Sequence, residues 1–422
     1  MAIFNVANAA GLQAALSRAV GGDRIVLAPG DYGTVRINNA RFASPVTIVS
    51  AGNPGDASFD GLHVRHSSNL TFQALDLGRE LEPGEGIYTL LNSVRNSSNI
   101  RMLGVKLHGS EDGNPANDGQ GLIVSDTTNF RFDHSEVTSL TRGVYVERST
   151  NVTFANNELH NVRMDGLAIA STNTLFALNN VFRNFRPQPG DHADAIQLWN
   201  TNQTRGSANI LIRDNVVWMP EEQSEGTAGV QGIWIADPGA HGYQNVWIRN
   251  NLVYSNDIWN GISVFGGRSV EVSNNSLLSR SDDGERLWLR LEGGWGHRVF
   301  NNVTEDVILN GVTPSLSNNL NLRQTPDMRR LFADLNSPDA LQDLVVPGRG
   351  FQLGGAVPRF TPAREDLFDV REAADLDLGA YGGPDTIMSA AMAVTAVVEA
   401  PAAEPFPLPI ATLSADPFVA LP

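Results

Sequence analysis

A short polar–apolar pattern returns many times along this chain. A small polar pair, often ending in Asn, leads into alternating apolar residues and then a second Asn turn. It reads SSNLTF ending at Phe72, SSNIRM ending at Met102 and TTNFRF ending at Phe132, then STNVTFANN, STNTLFALNN, SANILIRDN, YQNVWIRNN and RSVEVSNN. Weaker copies are RVFNN and SLSNN. The anchor residues Asn69, Asn99, Asn129, Asn151, Asn173, Asn209, Asn245 and Ser269 are spaced 30, 30, 22, 22, 36, 36 and 24 apart. A second pattern interleaves with the first: polar, Gly or Ala, apolar, any residue, apolar. It begins at Gln120, Arg142, Asp165, Asp194, Gln231 and Asn260, with its small residue at Gly121, Gly143, Gly166, Ala195, Gly232 and Gly261.

Both segments have the period of two that marks a strand. Strands that recur with insertions of variable length predict stacked coils, each of two or three short strands joined by Asn-, Gly- and Ser-rich turns. Stacking pairs each strand with its copies in neighbouring coils, giving parallel sheets with strands about 4.8 Å apart. Asn at equivalent turns is then placed to form side-chain ladders. The LxxLxL phasing of a leucine-rich horseshoe is absent, and a propeller needs antiparallel blades.

Alternation sorts the second pattern into two faces. Leu122/Val124, Val144/Val146, Leu167/Ile169, Ile196/Leu198, Ile233/Ile235 and Ile262/Val264 are predicted to point inward. Outward lie Ile123/Ser125, Tyr145/Glu147, Ala168/Ala170, Gln197/Trp199, Trp234/Ala236 and Ser263/Phe265. A further strand, Arg286–Glu292, turns Trp288, Arg290 and Glu292 outward. At the N-terminus, Leu12, Leu16 and Val20 have helical spacing, so a helix over 9–20 is expected to cap the open end of the first coil, which starts at Asp23.

The opening LQAALSRAVGGDRIVLAPGDYG, the NN turns and the closing LDLGAYGG resemble the pectate-lyase-like superfamily of right-handed parallel β-helices, over about residues 1–383. The resemblance implies an all-β fold: a right-handed parallel β-helix solenoid with an N-terminal cap helix and an extended C-terminal tail. The expected divisions are a cap (1–24), the β-helix (25–336), a closing segment (337–385) and an Ala/Pro-rich tail (386–422). Every Asn falls at or before Asn336, which sets the second boundary. The superfamily includes polysaccharide lyases, glycoside hydrolases, mannuronan epimerases and phage tailspikes. The opening looks most like its alginate-lyase and chondroitinase B branch, whose members use a Lys base and an Arg acid, often with calcium. A polysaccharide partner follows as an expectation. The competing reading is a non-catalytic receptor-binding spike of a phage-like particle, trimeric as tailspikes of this fold are. The apolar residues of the Pro-rich tail are read as a docking segment for such an assembly.

Charge narrows these options. There are 30 Lys+Arg against 46 Asp+Glu, a formal net charge of −16. That disfavours a nucleic-acid partner, whose binding rests on neutralised phosphates, and confines any acidic glycan to a local basic site. With no Cys, disulfides and thiolate chemistry are excluded. Met1–Val20 lacks the charged start and apolar run of a Sec signal, and no segment has the ~18 apolar residues of a membrane span. An extracellular or particle-surface location is expected, without membrane insertion.

All 7 Trp lie between Trp199 and Trp295. Five of them, Trp199, Trp234, Trp259, Trp288 and Trp295, fall on or beside the outward face. Such a stripe suits stacking on sugar rings, with Tyr145, Glu147, Gln197, Asp237, Phe265, Arg290 and Glu292 as further substrate-binding candidates. The alternative is local packing, with insertions such as 200–230 folded over the rings. The densest polar cluster surrounds His192. Asp194 aligns with Asp165 one coil earlier, so the pair is predicted ~5 Å apart, near the carboxylate separation of a retaining glycosidase. Asp165 and Asp194 are the catalytic candidates, with His192 as base or proton shuttle. Calcium binding or turn capping are the alternatives for the aspartates. A second calcium candidate is the turn holding Asp112, Asn114 and Asp118. The only lysine, Lys106, aligns with Glu158 beyond the NN turn, away from this face. A Lys-base mechanism therefore has no residue here, and His192 or Tyr145 would have to serve instead.

Overall fold

The computed structural model describes residues 1–220, 229–256, 258–280, 286–324 and 326. They wind into three long parallel sheets. The anchor sheet has 13 strands, from Ile3–Val6 and Arg24–Leu27 to Ser315–Ser317, and carries the Asn-anchored pattern. The glycine sheet has 11 strands, from Thr34–Asn38 to Asp306–Asn310, and carries the second pattern. A sheet of 12 mostly short strands, from Gly30–Asp31 to Leu320–Asn321, closes the triangle. Each strand pairs in parallel with its copies one coil away, as in Ser98–Leu103 with Thr128–Asp133. This is the parallel β-helix that the repeats predict.

The core is the inside of the coil. All twelve inward residues named above are at most 1% exposed, and they stack in rows such as Leu122, Val144, Leu167 and Ile196. The small residue before each row is equally determined. A Cβ on Gly121, Gly143 or Gly232 would run into the carbonyl oxygen of the same position in the next coil.

Two corners of the triangle differ in kind. From Ala74-Leu75 onward, every corner between an anchor strand and a short strand is two residues long, ending with Asn318-Asn319. The first residue of each pair is left-handed, with φ between 49° and 59°, as at Asn156, Asn179, Asn250 and Asn274. Asn tolerates that conformation better than other non-Gly residues do. The second residue points in and, from Asn157 on, forms a buried ladder. The Nδ2 of Asn157, Asn180, Asn215, Asn251, Asn275 and Asn302 donates to Oδ1 of the next coil's Asn at 2.9–3.0 Å. An outer ladder links Asn69, Asn99, Asn129 and Asn151 at 2.6–3.0 Å. The corner between short strands and the glycine sheet varies instead. It is three residues long between Thr138 and Arg142 and eleven between Met219 and Gln231, of which 221–228 lie outside the described residues.

The cap is shorter than expected. The helix spans Ala9–Arg18, with Asn8 Oδ1 accepting the Gly11 N–H at 2.8 Å, and buries Leu12, Ala15 and Leu16. Val20 is 64% exposed, because Ala19 turns extended and the Val20 N–H goes to Asp23 Oδ2 at 2.9 Å. A strand not expected from the sequence, Ile3–Val6, precedes the helix and pairs with Arg24–Leu27. The closing segment (337–385) and the tail (386–422) lie outside the described residues. Among the described residues no helix is long and apolar enough to cross a membrane.

Candidate active site

The residue that opens each glycine-sheet strand forms a polar row across coils. Arg142, Asp165, Asp194 and Gln231 hold equivalent positions: the Gly143 N–H bonds to the Asp165 carbonyl, the Gly166 N–H to that of Asp194, and Asp194 pairs with Gln231. Each lies two residues before an inward apolar residue, so alternation turns it toward the core side. Asp165 is 2% exposed and Asp194 0%. The aspartates are neighbours, as predicted, but they sit beneath the corner and do not face a groove. A retaining glycosidase needs two carboxylates flanking the scissile bond, and this burial denies them that place.

Burial governs their chemistry. It pushes Asp165 up to about 7, with Arg142 opposing and the Asp194 charge adding to the rise. Arg142 Nε lies 3.1 Å from Asp165 Oδ2, while Asp165 Oδ1 has no hydrogen-bond donor among the described residues. Burial raises Asp194 as well, and His192 opposes it. His192 Nδ1 stands 3.2 Å from Asp194 Oδ2, and its side chain keeps 35% of its exposure. Gln231 Nε2 lies 2.6 Å from His192 Nε2. With the amide donating, Nδ1 carries the proton; its 3.2 Å approach to Asp194 Oδ2 is an ion-pair distance without hydrogen-bond alignment.

His192 also meets the outward face. Its ring stands edge-on to Trp234 at 5.5 Å, Trp234 meets Phe265 at 4.9 Å, and the Arg290 guanidinium lies 4.7 Å from the Phe265 centroid. This strip runs over three further coils. A second aromatic pair, Tyr145 and Trp199, stacks at 5.9 Å across the intervening coil, where Ala168 and Ala170 leave room. Trp199, Trp234, Phe265 and Trp288 are half-buried, so packing and exposure share these rings.

The sequence matches the model of the right-handed β-helix region over residues 25–217 and 93–290. The chain belongs to the right-handed β-helix family. No curated protein matches it. Solved structures similar to this β-helix protein include pectate lyase Pel9A, at 14% identity, 91% of this chain, 97% of that one and a TM-score of 0.47. An alginate lyase from Paenibacillus sp. str. FPU-7 aligns at 16% identity over 74% of this chain and 99% of its own, with a TM-score of 0.41. The Dettilon tailspike protein aligns at 13% identity over 71% and 58%, with a TM-score of 0.47.

The remaining candidates of this β-helix protein divide. Tyr145 donates to Glu147 at 3.2 Å, and burial followed by the Glu147 charge pushes its pKa well above 10, which removes it as a base. Glu147 is held by Arg148 at 2.6 and 2.7 Å. Gln197 is 9% exposed on the outward row, paired with Ala168 and Trp234. Arg290 is ion-paired with Glu292 at 2.5 Å. Burial alone would raise Glu292, but Arg290 and Asn310 outweigh it and lower the pKa. Asp237 is exposed just beyond its strand. Trp259 (51% exposed) and Trp295 (58%) flank the sheet at opposite strand ends, Trp259 against Trp288 and Trp295 against Arg268.

The turn at 112–118 is held by its own hydrogen bonds. Asp112 Oδ1 accepts from the Asn114 N–H and Ser110, and its Oδ2 from Asn117; Asp118 Oδ1 accepts from Ser110, and Asn114 Oδ1 from the Ala116 N–H. Lys106 lies on the short-strand sheet, in register with Glu136 and through it Glu158, and pairs with Glu111 at 2.6 Å. Sequence reasoning missed the contribution of Arg142, whose place in the second pattern was the available signal.

Proposed function

We propose that this protein binds a polysaccharide along the outward face of the glycine sheet and cleaves it by proton transfer at His192. One observation carries the reading: a partly exposed imidazole joins a buried acid, Asp194, to the aromatic strip that starts at Trp234. His192 is the catalytic residue, and Asp194 positions its tautomer. Asp165 and Arg142 set the local charge without touching substrate. The base nitrogen, Nε2, is held by Gln231, so a substrate must displace that amide. Without a facing carboxylate nucleophile this arrangement favours elimination on a uronate over double displacement: Nε2 takes the C5 proton, the C4–O4 bond breaks as the C4=C5 double bond forms, and the departing O4 is protonated by the imidazolium or water. Incubation with uronate and neutral polysaccharides tests this: unsaturated products that disappear in His192→Ala support it, and no cleavage of any kind refutes it.

Binding without turnover is the second reading. It is favoured by the internal pairing of both carboxylates, with Arg142 and with His192. The trimer and particle assembly attached to it rest on the tail, outside the described residues.

A further inference from the structure

A cavity of about 410 Å³ opens on the first three coils of the glycine sheet, lined by Arg36, Asn38, His63, Arg65, Ser93 and Arg95 among others. Register sets these side chains in two rows. Arg36 pairs with His63 and His63 with Ser93, while Asn38 pairs with Arg65 and Arg65 with Arg95. Arg36, Arg65 and Arg95 are exposed.

Two physical facts make this cluster unusual. First, the chain carries a net charge of −16, and many of its arginines are matched to acids, as in Arg79–Glu85, Arg163–Asp191 and Arg183–Glu158. Arg36, Arg65 and Arg95 have no carboxylate at ion-pair distance among the described residues. Second, like charges directly opposite one another in a sheet are destabilising. Arg65 and Arg95 hold such a position at the ~4.8 Å strand spacing, with no carboxylate among the described residues to neutralise them.

His63 adds a fixed polar group. Its Nδ1 is 3.0 Å from Ser93 Oγ. Burial, and then Arg36 and Arg95, push its pKa below the ordinary range, so at neutral pH the positive charge belongs to the arginines.

We propose that Arg36, Arg65 and Arg95, with His63 and Ser93 beside them, bind the carboxylate or sulfate groups of an acidic polysaccharide. Guanidinium forks match both anions in paired hydrogen bonds. A charge on each successive coil suits a polymer with repeated anionic units better than one small ion. Among the described residues no Phe, Tyr or Trp lines the cavity, and its one ring is the His63 imidazole, so it lacks the row of stacking platforms that single-stranded nucleic acid needs. The inference rests on the polysaccharide reading and extends it. Four coil spacings, about 19 Å, separate the Arg95 strand from the Asp194 strand on the same sheet, so one chain can span both.

The test uses the full chain, labelled polygalacturonate and dextran sulfate as the two anionic probes, neutral dextran, and a single-stranded DNA. Wild type is expected to bind at least one acidic glycan, and Arg65→Gln/Arg95→Gln to bind it about tenfold more weakly or worse, with steeper salt dependence in wild type. Thermal stability of the variant should stay level or rise, which separates lost binding from lost folding. Unchanged affinity in the double variant overturns the site while leaving the His192 groove intact. Equal, arginine-dependent binding of DNA overturns the glycan assignment. Failure of wild type to bind any glycan removes both this inference and the function it rests on.

Discussion

His192 Nδ1 lies 3.2 Å from Asp194 Oδ2, and of the two only the histidine reaches solvent. In the proposed function the acid orients the ring electrostatically and the ring meets the glycan. Replacing His192 with Ala should therefore lower glycan cleavage by about 10²–10⁴-fold, the usual contribution of a positioned general base, with little change in melting temperature. Lys106→Ala, on a different sheet, should leave cleavage unchanged. Initial rates on the same polymer check both, and a large Lys106 effect would move the chemistry elsewhere.

Asp165 makes stability depend on pH. Its carboxyl is held at about 7, against 3.8 ordinarily, so the folded protein binds more protons than the unfolded chain between those values. Stability should therefore fall as pH rises from about 4 to about 7. Asp165→Asn should flatten that slope without abolishing it, since Asp194 is also raised. Melting temperatures across this range give the answer; an unchanged slope would mean that Asp165 is ionised in the fold.

The two ladders should respond differently to substitution. Asn215 Oδ1 accepts from the Asn180 N–H and Nδ2, and its own Nδ2 donates to the Ala177 carbonyl and Asn251. Asn215→Ala leaves buried donors without acceptors and should destabilise by about 2–4 kcal/mol in chemical denaturation. On the exposed ladder, Asn129→Gly keeps the left-handed turn at φ 57° and should be mild, and Asn129→Ala should be the worse of the two.

Trp234 belongs to the strip beside His192, whereas Trp247 lies on the anchor sheet, paired with Leu211 and Glu271. Trp234→Ala should weaken glycan binding about tenfold or more, and Trp247→Ala should not. Titration calorimetry with a long oligosaccharide distinguishes them; equal losses would make the effect one of folding.

The winding, the inward rows and the ladders were legible because each depends on short-range alternation and on a turn that one residue type tolerates best. The burial of Asp165 and Asp194 was also legible in principle. They share the parity of Leu167 and Ile196, so the strand that turns those leucine and isoleucine side chains inward carries the aspartates with it. Contacts that skip a coil were not legible. Tyr145 reaches Trp199 only because the residues between them in space are alanines. The ends of strands also escape alternation, which is why Trp259 and Trp295 part to opposite edges of the sheet. Val20 continues the helical spacing, yet the chain turns before it, because Asp23 offers its backbone N–H a different partner.

The unequal corners have an evolutionary consequence. From Ala74-Leu75 onward one corner is kept at two residues, because a third would break the left-handed turn and, from Asn157 on, the asparagine next to it. The other has absorbed segments from one residue, between Thr304 and Asp306, to eleven. That permissive corner leads directly into the row of Arg142, Asp165 and Asp194, and His192 is itself part of one such segment. Recombination or loop grafting there can present new groups to whatever lies on the sheet while every coil keeps its register. Relatives of this chain are expected to differ most in length at the place where their specificities differ.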